Sequence, residues 1–185
     1  MKTRMIIVAA PSGAGKSSFV ERLAAENSRL HDIITYTTRS MRKNESQGRP
    51  YFFISKEEFE KKVKGDFFVE WALVHTNMYG TSHEQIQLAW AKDKVVIMDI
   101  DIQGVVTFKA KYPETKTIFI LPPSIEELKR RVIKRDGEPP PDLEVRMINA
   151  AKEMQKAHEF DVQIVNDDFE RSYAEFKKTV ENWIG

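Results

Sequence analysis

A glycine-rich turn near the N-terminus constrains this chain more than any other feature. Residues 10–17 read Ala-Pro-Ser-Gly-Ala-Gly-Lys-Ser, which matches the phosphate-loop pattern at every position except the first, where alanine replaces glycine. The apolar run Met5–Ala9 precedes this turn, as a buried strand would. Phe19, Val20 and Leu23 follow it at helical spacing. Because a chance glycine turn seldom has this context, we predict a strand, a phosphate loop (residues 10–17) and a helix in succession.

The chemistry of phosphate binding explains the residue types in this loop. Small residues allow consecutive backbone amides to surround the phosphates, and the positive end of the following helix points at them. Lys16 would place a positive charge at the β- and γ-phosphates, and the Ser17 hydroxyl would bind Mg²⁺. Asp99 ends the apolar run 95–98 and is the second predicted ligand of Mg²⁺. The residues predicted to bind the donor nucleotide through this loop are Ser12, Gly13, Ala14, Gly15, Lys16, Ser17 and Ser18.

Strands and helices alternate along most of the chain. The apolar runs typical of buried strands, which are separated by segments of helical periodicity, are 5–9, 95–98, 117–121 and 162–165. This alternation predicts an α/β fold whose core is a parallel sheet covered by helices on both faces. The stretch 30–38 is predicted to be extended. Short strands between residues 35 and 93 interrupt the rhythm and predict an insert, and the charged, proline-rich segment 135–142 predicts a mobile flap.

Three pairs of residues predict where helices begin. In each pair a serine side chain can accept the backbone N–H three residues later, and the glutamate or glutamine there can reach back. The pairs are Ser55 with Glu58, Ser82 with Gln85, and Ser124 with Glu127.

Composition narrows the function classes. Lys plus Arg number 29 and Asp plus Glu 28, a formal net charge of +1, so bulk charge favours neither nucleic acid nor a membrane as a partner. The absence of cysteine excludes disulfides, thiolate catalysis and Cys-based zinc sites. His75, His83 and His158 lack metal-ligand spacing, and we interpret all three as structural. No apolar run reaches the length of a secretory signal core or a membrane span, so we expect a cytoplasmic soluble protein.

Eight stretches, in order along nearly the whole chain, resemble the guanylate kinase family. The stretches are 10–18, 37–39, 51–53, 68–71, 79–82, 98–104, 120–124 and 164–168. The resemblance implies a phosphate-loop core, a mixed α/β insert that binds a nucleoside monophosphate, and a small mobile lid. It places the core at 1–34, 94–126 and 147–185, the insert at 35–93 and the lid at 127–146. It further implies phosphorylation of GMP, and of dGMP, with ATP as the phosphoryl donor and Mg²⁺ as the metal ion.

The resemblance also implies which residues hold the acceptor. Those implied for the phosphate of GMP are Arg39, Arg42, Tyr51 and Tyr79. Those implied to read the guanine are Thr35, Glu70, Thr81 and Asp101. Chemistry supports the two carboxylates, because guanine presents an N1–H and an N2 amino group on one edge, whereas adenine presents an acceptor at N1 and would be repelled. Arginine suits phosphate because its planar fork binds two oxygens.

On the donor side, the arginines implied to clamp the transferring phosphates as the lid closes are Arg131, Arg135 and Arg146. Asn166 is implied to lie beside the adenine of ATP. The implied catalytic set is Lys16, Arg39, Arg42, Arg135 and Arg146. The chain departs from the family at three places besides residue 10. Threonine stands at residue 35 where serine is common, residues 41–48 replace a proline-rich turn, and the prolines at 139–141 stiffen the lid.

Pattern alone leaves other interpretations open for several of these residues. Arg39 and Arg42 could be solvated loop charges. Tyr51 and Tyr79 could be half-buried packing residues. Asp101 could cap the helix that follows it, and this role is compatible with reading guanine.

Two rival functions accompany the kinase hypothesis. The first is a non-catalytic module that binds phosphorylated peptides, and the intact Lys16 and Asp99 argue against it. The second is a kinase of another phosphorylated acceptor, such as a sugar phosphate, and the pair Glu70 and Asp101 argues for guanine instead. The sequence makes no prediction of oligomeric state.

Overall fold

The computed structural model describes residues 3–74 and 76–185, so the interpretation of His75 lies outside the described residues, as do Met1 and Lys2. The strands are β1 (Met5–Ala9), β2 (Leu30–Asp32), β3 (Tyr36–Thr37), β4 (Phe52–Phe53), β5 (Phe68–Val74), β6 (Asn77–Ser82), β7 (Val95–Asp99), β8 (Lys116–Leu121) and β9 (Val162–Val165). The helices are α1 (Lys16–Glu26), α2 (Lys56–Lys64), α3 (His83–Ala91), α4 (Ile102–Lys111), α5 (Ile125–Asp136), α6 (Leu143–Gln155) and α7 (Phe169–Ile184), with a 3₁₀ turn at Ala157–Glu159.

The larger sheet has five parallel strands in the order β2-β7-β1-β8-β9. Successive residues of β1 point to opposite faces, so Ile6 and Val8 pack with α1 and α7 while Ile7 packs with α3 and α4. This burial on both faces confirms the predicted parallel sheet covered by helices. Val8 pairs with Asp99 of β7, so the register places Asp99 beside the start of the phosphate loop.

The smaller sheet, called the insert sheet below, has four strands in the order β4-β3-β6-β5, all of which lie within the range predicted for the insert. The stretch 30–38, predicted to be extended, contains two strands that belong to different sheets, because β2 joins the core sheet and β3 joins the smaller sheet. Strand β6 has no counterpart in the sequence analysis. Its sequence, Asn-Met-Tyr-Gly-Thr-Ser, is poor in β-branched residues and contains turn formers. Antiparallel pairing with β5 makes it a strand.

The helix starts follow the predicted serine caps. The side-chain oxygens of Ser55, Ser82 and Ser124 each accept a backbone N–H three residues later. One helix end differs from expectation, because α5 continues to Asp136 and the break predicted to begin at residue 135 begins only after Asp136. The helix stops at Gly137, whose φ of 82° is favoured in glycine alone. Within residues 3–74 and 76–185, no helix is both long and apolar enough to cross a membrane.

Candidate active site

A cleft of about 500 Å³ lies between the carboxyl edge of the core sheet, the insert sheet and helices α5 and α6. The sequence-predicted site residues that line it are Ser12, Gly13, Gly15, Lys16, Ser17, Ser18, Thr35, Arg39, Arg42, Tyr51, Glu70, Tyr79, Asp99, Asp101, Arg131, Arg135 and Arg146. Ala14, Thr81 and Asn166 are buried and do not line this cleft. Parts that are distant in the chain therefore converge on one cavity, and three of the predicted residues contact it only through their neighbours.

The phosphate loop owes its shape to two glycines. Gly13 and Gly15 have φ values of 99° and 95°, a region that residues with a Cβ atom rarely adopt. Gly15 immediately precedes α1, so the N-terminal end of that helix opens into the cleft. Among the described residues, the non-glycine residues with positive φ are Asp66 and Asp93. Ala10 therefore avoids that region, and alanine replaces the usual first glycine without backbone strain.

Lys16, Ser17 and Asp99 meet at the base of the cleft. The Ser17 hydroxyl donates a hydrogen bond to Asp99 Oδ2 at 2.6 Å, and Lys16 Nζ lies 3.5 Å from the same oxygen. One hydroxyl and one carboxylate fit Mg²⁺, which binds few protein oxygens and takes its remaining ligands from phosphates and water. No group of three or more metal-ligating side chains occurs among residues 3–74 and 76–185. The residues present thus fit a metal ion that is bound together with a nucleotide.

The two carboxylates predicted to read guanine both lie at the first turn of α4, close to Gly104. Asp101 caps the helix, its Oδ1 accepting the N–H groups of Gln103 and Gly104 at 2.8 and 3.1 Å. Glu70 is only 8% exposed and accepts the Thr81 hydroxyl at 2.9 Å. Thr81 therefore orients Glu70 from behind the cleft. Burial, reinforced by the charge of Asp101, raises the pKa of Glu70 to about 7, although the Thr81 hydrogen bond opposes that rise.

The predicted phosphate-binding residues of the insert surround an acid that the sequence analysis does not identify. Glu45 receives the Arg39 guanidinium at 2.7 Å through Oε1 and the backbone N–H of Arg42 at 2.8 Å through Oε2. The rings of Tyr51 and Tyr79 meet edge to face at 5.6 Å, and Arg39 lies over Tyr51. Nothing in the polar pattern of residues 41–50 distinguishes Glu45 from a solvated charge. Its role in holding Arg39 emerges only from the folded loop.

Three arginines reach the cleft from α5 and α6. Arg135 forms a two-point ion pair with Asp136 at 2.8 and 3.0 Å, and Arg146 contacts Asp142 at 2.8 Å. Both guanidinium groups lie on the cleft surface, where a phosphate could replace these partners. Arg131 is held differently, donating to a glutamate of its own helix at 2.8 Å and to the carbonyl oxygen of residue 166 at 2.9 Å.

Glu153 also lines the cleft, although the sequence analysis does not identify it. It follows Arg146 by two helical turns and so shares a face of α6. Burial raises the pKa of Glu153, while the nearby Lys16 charge opposes that shift. Helical periodicity could have located this residue once Arg146 was assigned to the site.

The family relationship is decided by comparison with known proteins. The model of the family described as guanylate kinase matches residues 2–183. This chain belongs to the guanylate kinase family. A guanylate kinase from Bdellovibrio bacteriovorus is 65% identical over 184 residues, covering 100% of both chains. A guanylate kinase from Polaromonas sp. is 46% identical, covering 95% of this chain and 85% of its own.

The fold is also similar to that of a solved guanylate kinase. The crystal structure of guanylate kinase from Anaplasma phagocytophilum superimposes with a TM-score of 0.79 at 26% identity, covering 98% of this chain and 86% of that chain. The predicted α/β fold with a parallel core sheet is therefore confirmed. Guanylate kinase family membership likewise confirms the resemblance on which the site residues were assigned.

The raised pKa of Glu70 predicts that GMP binding weakens in acid. In its predicted role Glu70 accepts N–H donors of guanine, and protonation opposes this because it turns one acceptor oxygen into a donor. Because the pKa of Glu70 in the folded protein without GMP is about 7, Glu70 is increasingly protonated below that pH, and GMP binding is then coupled to loss of the proton. We expect the KM for GMP to rise up to about tenfold per pH unit below pH 7. Steady-state kinetics between pH 5.5 and 8.5 measure this rise.

The Glu70→Gln variant is the control for this pH dependence, because the phosphate of GMP also titrates, near about pH 6. The phosphate contribution persists in the variant, whereas the Glu70 contribution disappears. The assignment is wrong if the two proteins show the same dependence of KM on pH.

Proposed function

We propose that this chain transfers the γ-phosphoryl group of ATP directly to the phosphate of GMP. ATP-dependent phosphorylation of GMP is the reaction of the guanylate kinase family, whose model spans residues 2–183. One observation carries the proposal at the level of residues. Lys16 and Ser17 of the phosphate loop line the same cavity as the carboxylate pair Glu70 and Asp101. A donor triphosphate and an acceptor guanine can therefore be bound side by side.

On the donor side, the phosphate loop binds the triphosphate of ATP with its backbone amides and Lys16. The lysine lies next to the bond that breaks and neutralises charge that accumulates on the β- and γ-phosphates. Ser17 and Asp99 would hold Mg²⁺, which when bound shields the phosphate charges. The Arg131 guanidinium borders this region of the cleft.

On the acceptor side, the phosphate of GMP binds between two arginines and two tyrosines of the insert: Arg39, Arg42, Tyr51 and Tyr79. Glu45 keeps Arg39 in the conformation that faces the cleft, because the ion pair and the backbone contact at residue 42 are formed by the same carboxylate. Guanine then extends towards Glu70 and Asp101, with the Thr35 hydroxyl on the cleft wall.

The transfer needs no covalent intermediate on the protein. An oxygen of the GMP phosphate attacks the γ-phosphorus, and the bond from that phosphorus to the β-phosphate oxygen breaks in line. The protein contributes positioning and charge neutralisation. Closure of the lid and insert over the cleft would exclude water, which otherwise competes with GMP for the phosphoryl group.

A coupled assay of ADP release across nucleoside monophosphates tests this function. We expect phosphorylation of GMP and rejection of AMP, CMP and UMP, because only guanine satisfies both carboxylates. Equal turnover of AMP would show that the guanine-reading roles are wrong. Binding of GMP without any ADP release would identify a non-catalytic module.

The lid arginines are expected to act mainly in the transition state. Arg135 and Arg146 are paired with aspartates in this structure, so they exchange those partners for the transferring phosphate only when the lid closes. Arg135→Ala or Arg146→Ala should lower kcat on the order of a hundredfold or more with little change in GMP affinity. Steady-state kinetics combined with calorimetric GMP titration measure the two effects.

Arg130→Ala is the matched control for these variants, because Arg130 lies on the solvent face of α5 with 68% of its side chain exposed. Its kcat should equal that of the unmodified protein. Normal kcat with weakened GMP binding in the Arg135 and Arg146 variants would instead assign both residues to ground-state binding.

A further inference from the structure

Asn166 contacts the phosphate loop rather than the open cleft. It immediately follows β9, is only 5% exposed and does not line the cavity. Its side-chain Nδ2 donates to the carbonyl oxygen of Ala14 at 2.9 Å. Its backbone N–H donates to the carbonyl oxygen of Leu121 at 2.8 Å, which anchors it to the neighbouring strand β8. The sheet thus fixes the backbone of Asn166, and its side-chain amide contacts the backbone of the phosphate loop.

This contact determines which way one peptide unit of the loop faces. The Ala14 carbonyl and the Gly15 N–H belong to the same trans peptide, so they point in opposite directions. Drawing the carbonyl towards Asn166 turns the Gly15 N–H away from it. Gly15 itself lines the cleft, and a Cβ atom built on it would lie 3.0 Å from the Asn166 Nδ2 atom. The glycine therefore allows the amide to approach closely.

Rotation of this peptide is less restricted than usual at one end, because Gly15 has no Cβ atom and already adopts a positive φ of 95°. A hydrogen bond from a side chain fixed elsewhere removes that freedom. Gly13 is confined in a similar way, because a Cβ atom there would lie 2.7 Å from Val132 Cγ2 and 3.4 Å from Leu128 Cδ1 of α5. The loop is thus braced from both α5 and β9.

Arg131 connects the two elements that contact the loop, α5 and the residue that follows β9. Its Nη2 donates to the backbone carbonyl of Asn166 at 2.9 Å, while its Nε donates to Glu127 at 2.8 Å. The residue that orients the Ala14 peptide is therefore itself held by the helix that packs on Gly13. Such a doubly fixed contact is rigid enough to set the orientation of a backbone amide.

We propose that Asn166 is a positioning residue of the phosphate loop, which orients the peptide between Ala14 and Gly15 for phosphate binding, and that it does not read the adenine. The proposal rests on the proposed function only in taking a nucleoside triphosphate as the donor. A base-reading side chain contributes to the affinity for ATP but not to that for a triphosphate lacking a base. A residue that orients the loop contributes equally to both.

Calorimetric titration of Asn166→Ala with ATP and with inorganic tripolyphosphate tests the proposal. We expect the affinities for the two ligands to fall by the same factor, on the order of tenfold, because the Ala14 carbonyl loses its donor and the loop its orientation. Asn166→Asp keeps the size of the side chain but has no N–H to donate, so it should lose at least as much affinity as the alanine variant. Asn182→Ala, an exposed asparagine on α7, should bind both ligands normally.

Weakened ATP binding with unchanged tripolyphosphate binding would overturn the proposal and assign Asn166 to the adenine. Unchanged binding of both ligands would also overturn it, as would normal binding by Asn166→Asp, since packing volume alone would then suffice. Thermal unfolding shows that each variant is folded. If the alanine variant fails to fold, normal binding by Asn166→Asp, or a loss of affinity confined to ATP, would still overturn the proposal. These titrations need neither GMP nor turnover, so they remain informative if the unmodified protein does not phosphorylate GMP.

Discussion

Replacing Lys16 by alanine is expected to abolish phosphoryl transfer while leaving the fold intact. The lysine is the residue of the phosphate loop that can neutralise charge developing between the β- and γ-phosphates, and loss of one such group costs on the order of a hundredfold or more in rate. Its side chain is 23% exposed and contacts Asp99 at 3.5 Å, outside the hydrophobic core. ADP release in a coupled assay measures the loss, and thermal unfolding confirms that the variant is folded.

Lys178→Ala is the control for this experiment, because Lys178 is exposed on α7, far along the chain from the phosphate loop. It should retain normal turnover. GMP titration provides a second check, since the acceptor side of the cleft does not depend on Lys16 and its affinity should be unchanged. Turnover near the unmodified level in purified Lys16→Ala would refute the phosphate-loop assignment.

Replacing Glu70 by glutamine is expected to lower kcat/KM for GMP on the order of a hundredfold. The amide keeps an oxygen for the Thr81 hydroxyl, but it turns an NH₂ group towards guanine donors that need an acceptor, and mismatched buried hydrogen bonds are costly. The KM for ATP should change little, because Glu70 lies on the acceptor side. Steady-state kinetics with each substrate varied in turn measure both quantities.

The same substitution should not destabilise the protein at pH 8. The folded-state pKa of Glu70 is raised above its ordinary value, so its favourable contribution is complete below pH 4.5 and is lost as the pH rises through about 7. At pH 8 the unmodified protein therefore contains a buried charge that the glutamine variant lacks. We expect an equal or higher Tm. Glu57→Gln, on the exposed side of α2, is the control for the Tm measurement. In the kinetic experiment, normal GMP turnover by Glu70→Gln would exclude Glu70 from guanine recognition.

Local features of the sequence determined the core of this protein. Phosphate binding requires small residues, a lysine and a hydroxyl at fixed spacing, so residues 10–17 are recognisable without any tertiary contact. Buried parallel strands are apolar along their length, so β1, β7, β8 and β9 stand out as runs. The serine caps at residues 55, 82 and 124 are equally local, since donor and acceptor are three residues apart.

The insert was less predictable because its strands are defined by their partners. Nothing in residues 30–38 marks the point where the chain leaves the core sheet, because both halves are extended. Strand β6 contains several turn-forming residues, and its pairing with β5 and β3 makes it a strand. The end of α5 was misplaced because the charged residues near 135 resemble a loop, whereas Gly137 stops the helix.

Only the tertiary structure decided which residues line the site and which support it. The sequence places Thr81 and Asn166 in two of the stretches that resemble the family. Only their hydrogen bonds in the structure show that Thr81 orients Glu70 and that Asn166 holds the Ala14 carbonyl. Glu45 lines the cleft although no local pattern separates it from a solvated acid, and Glu153 could be located only from its helical spacing to Arg146. The physical reason is the distance along the sequence over which each interaction acts. Phosphate binding, capping and strand burial depend on neighbours within a few residues, whereas a side chain's partner across the cleft depends on how distant segments pack.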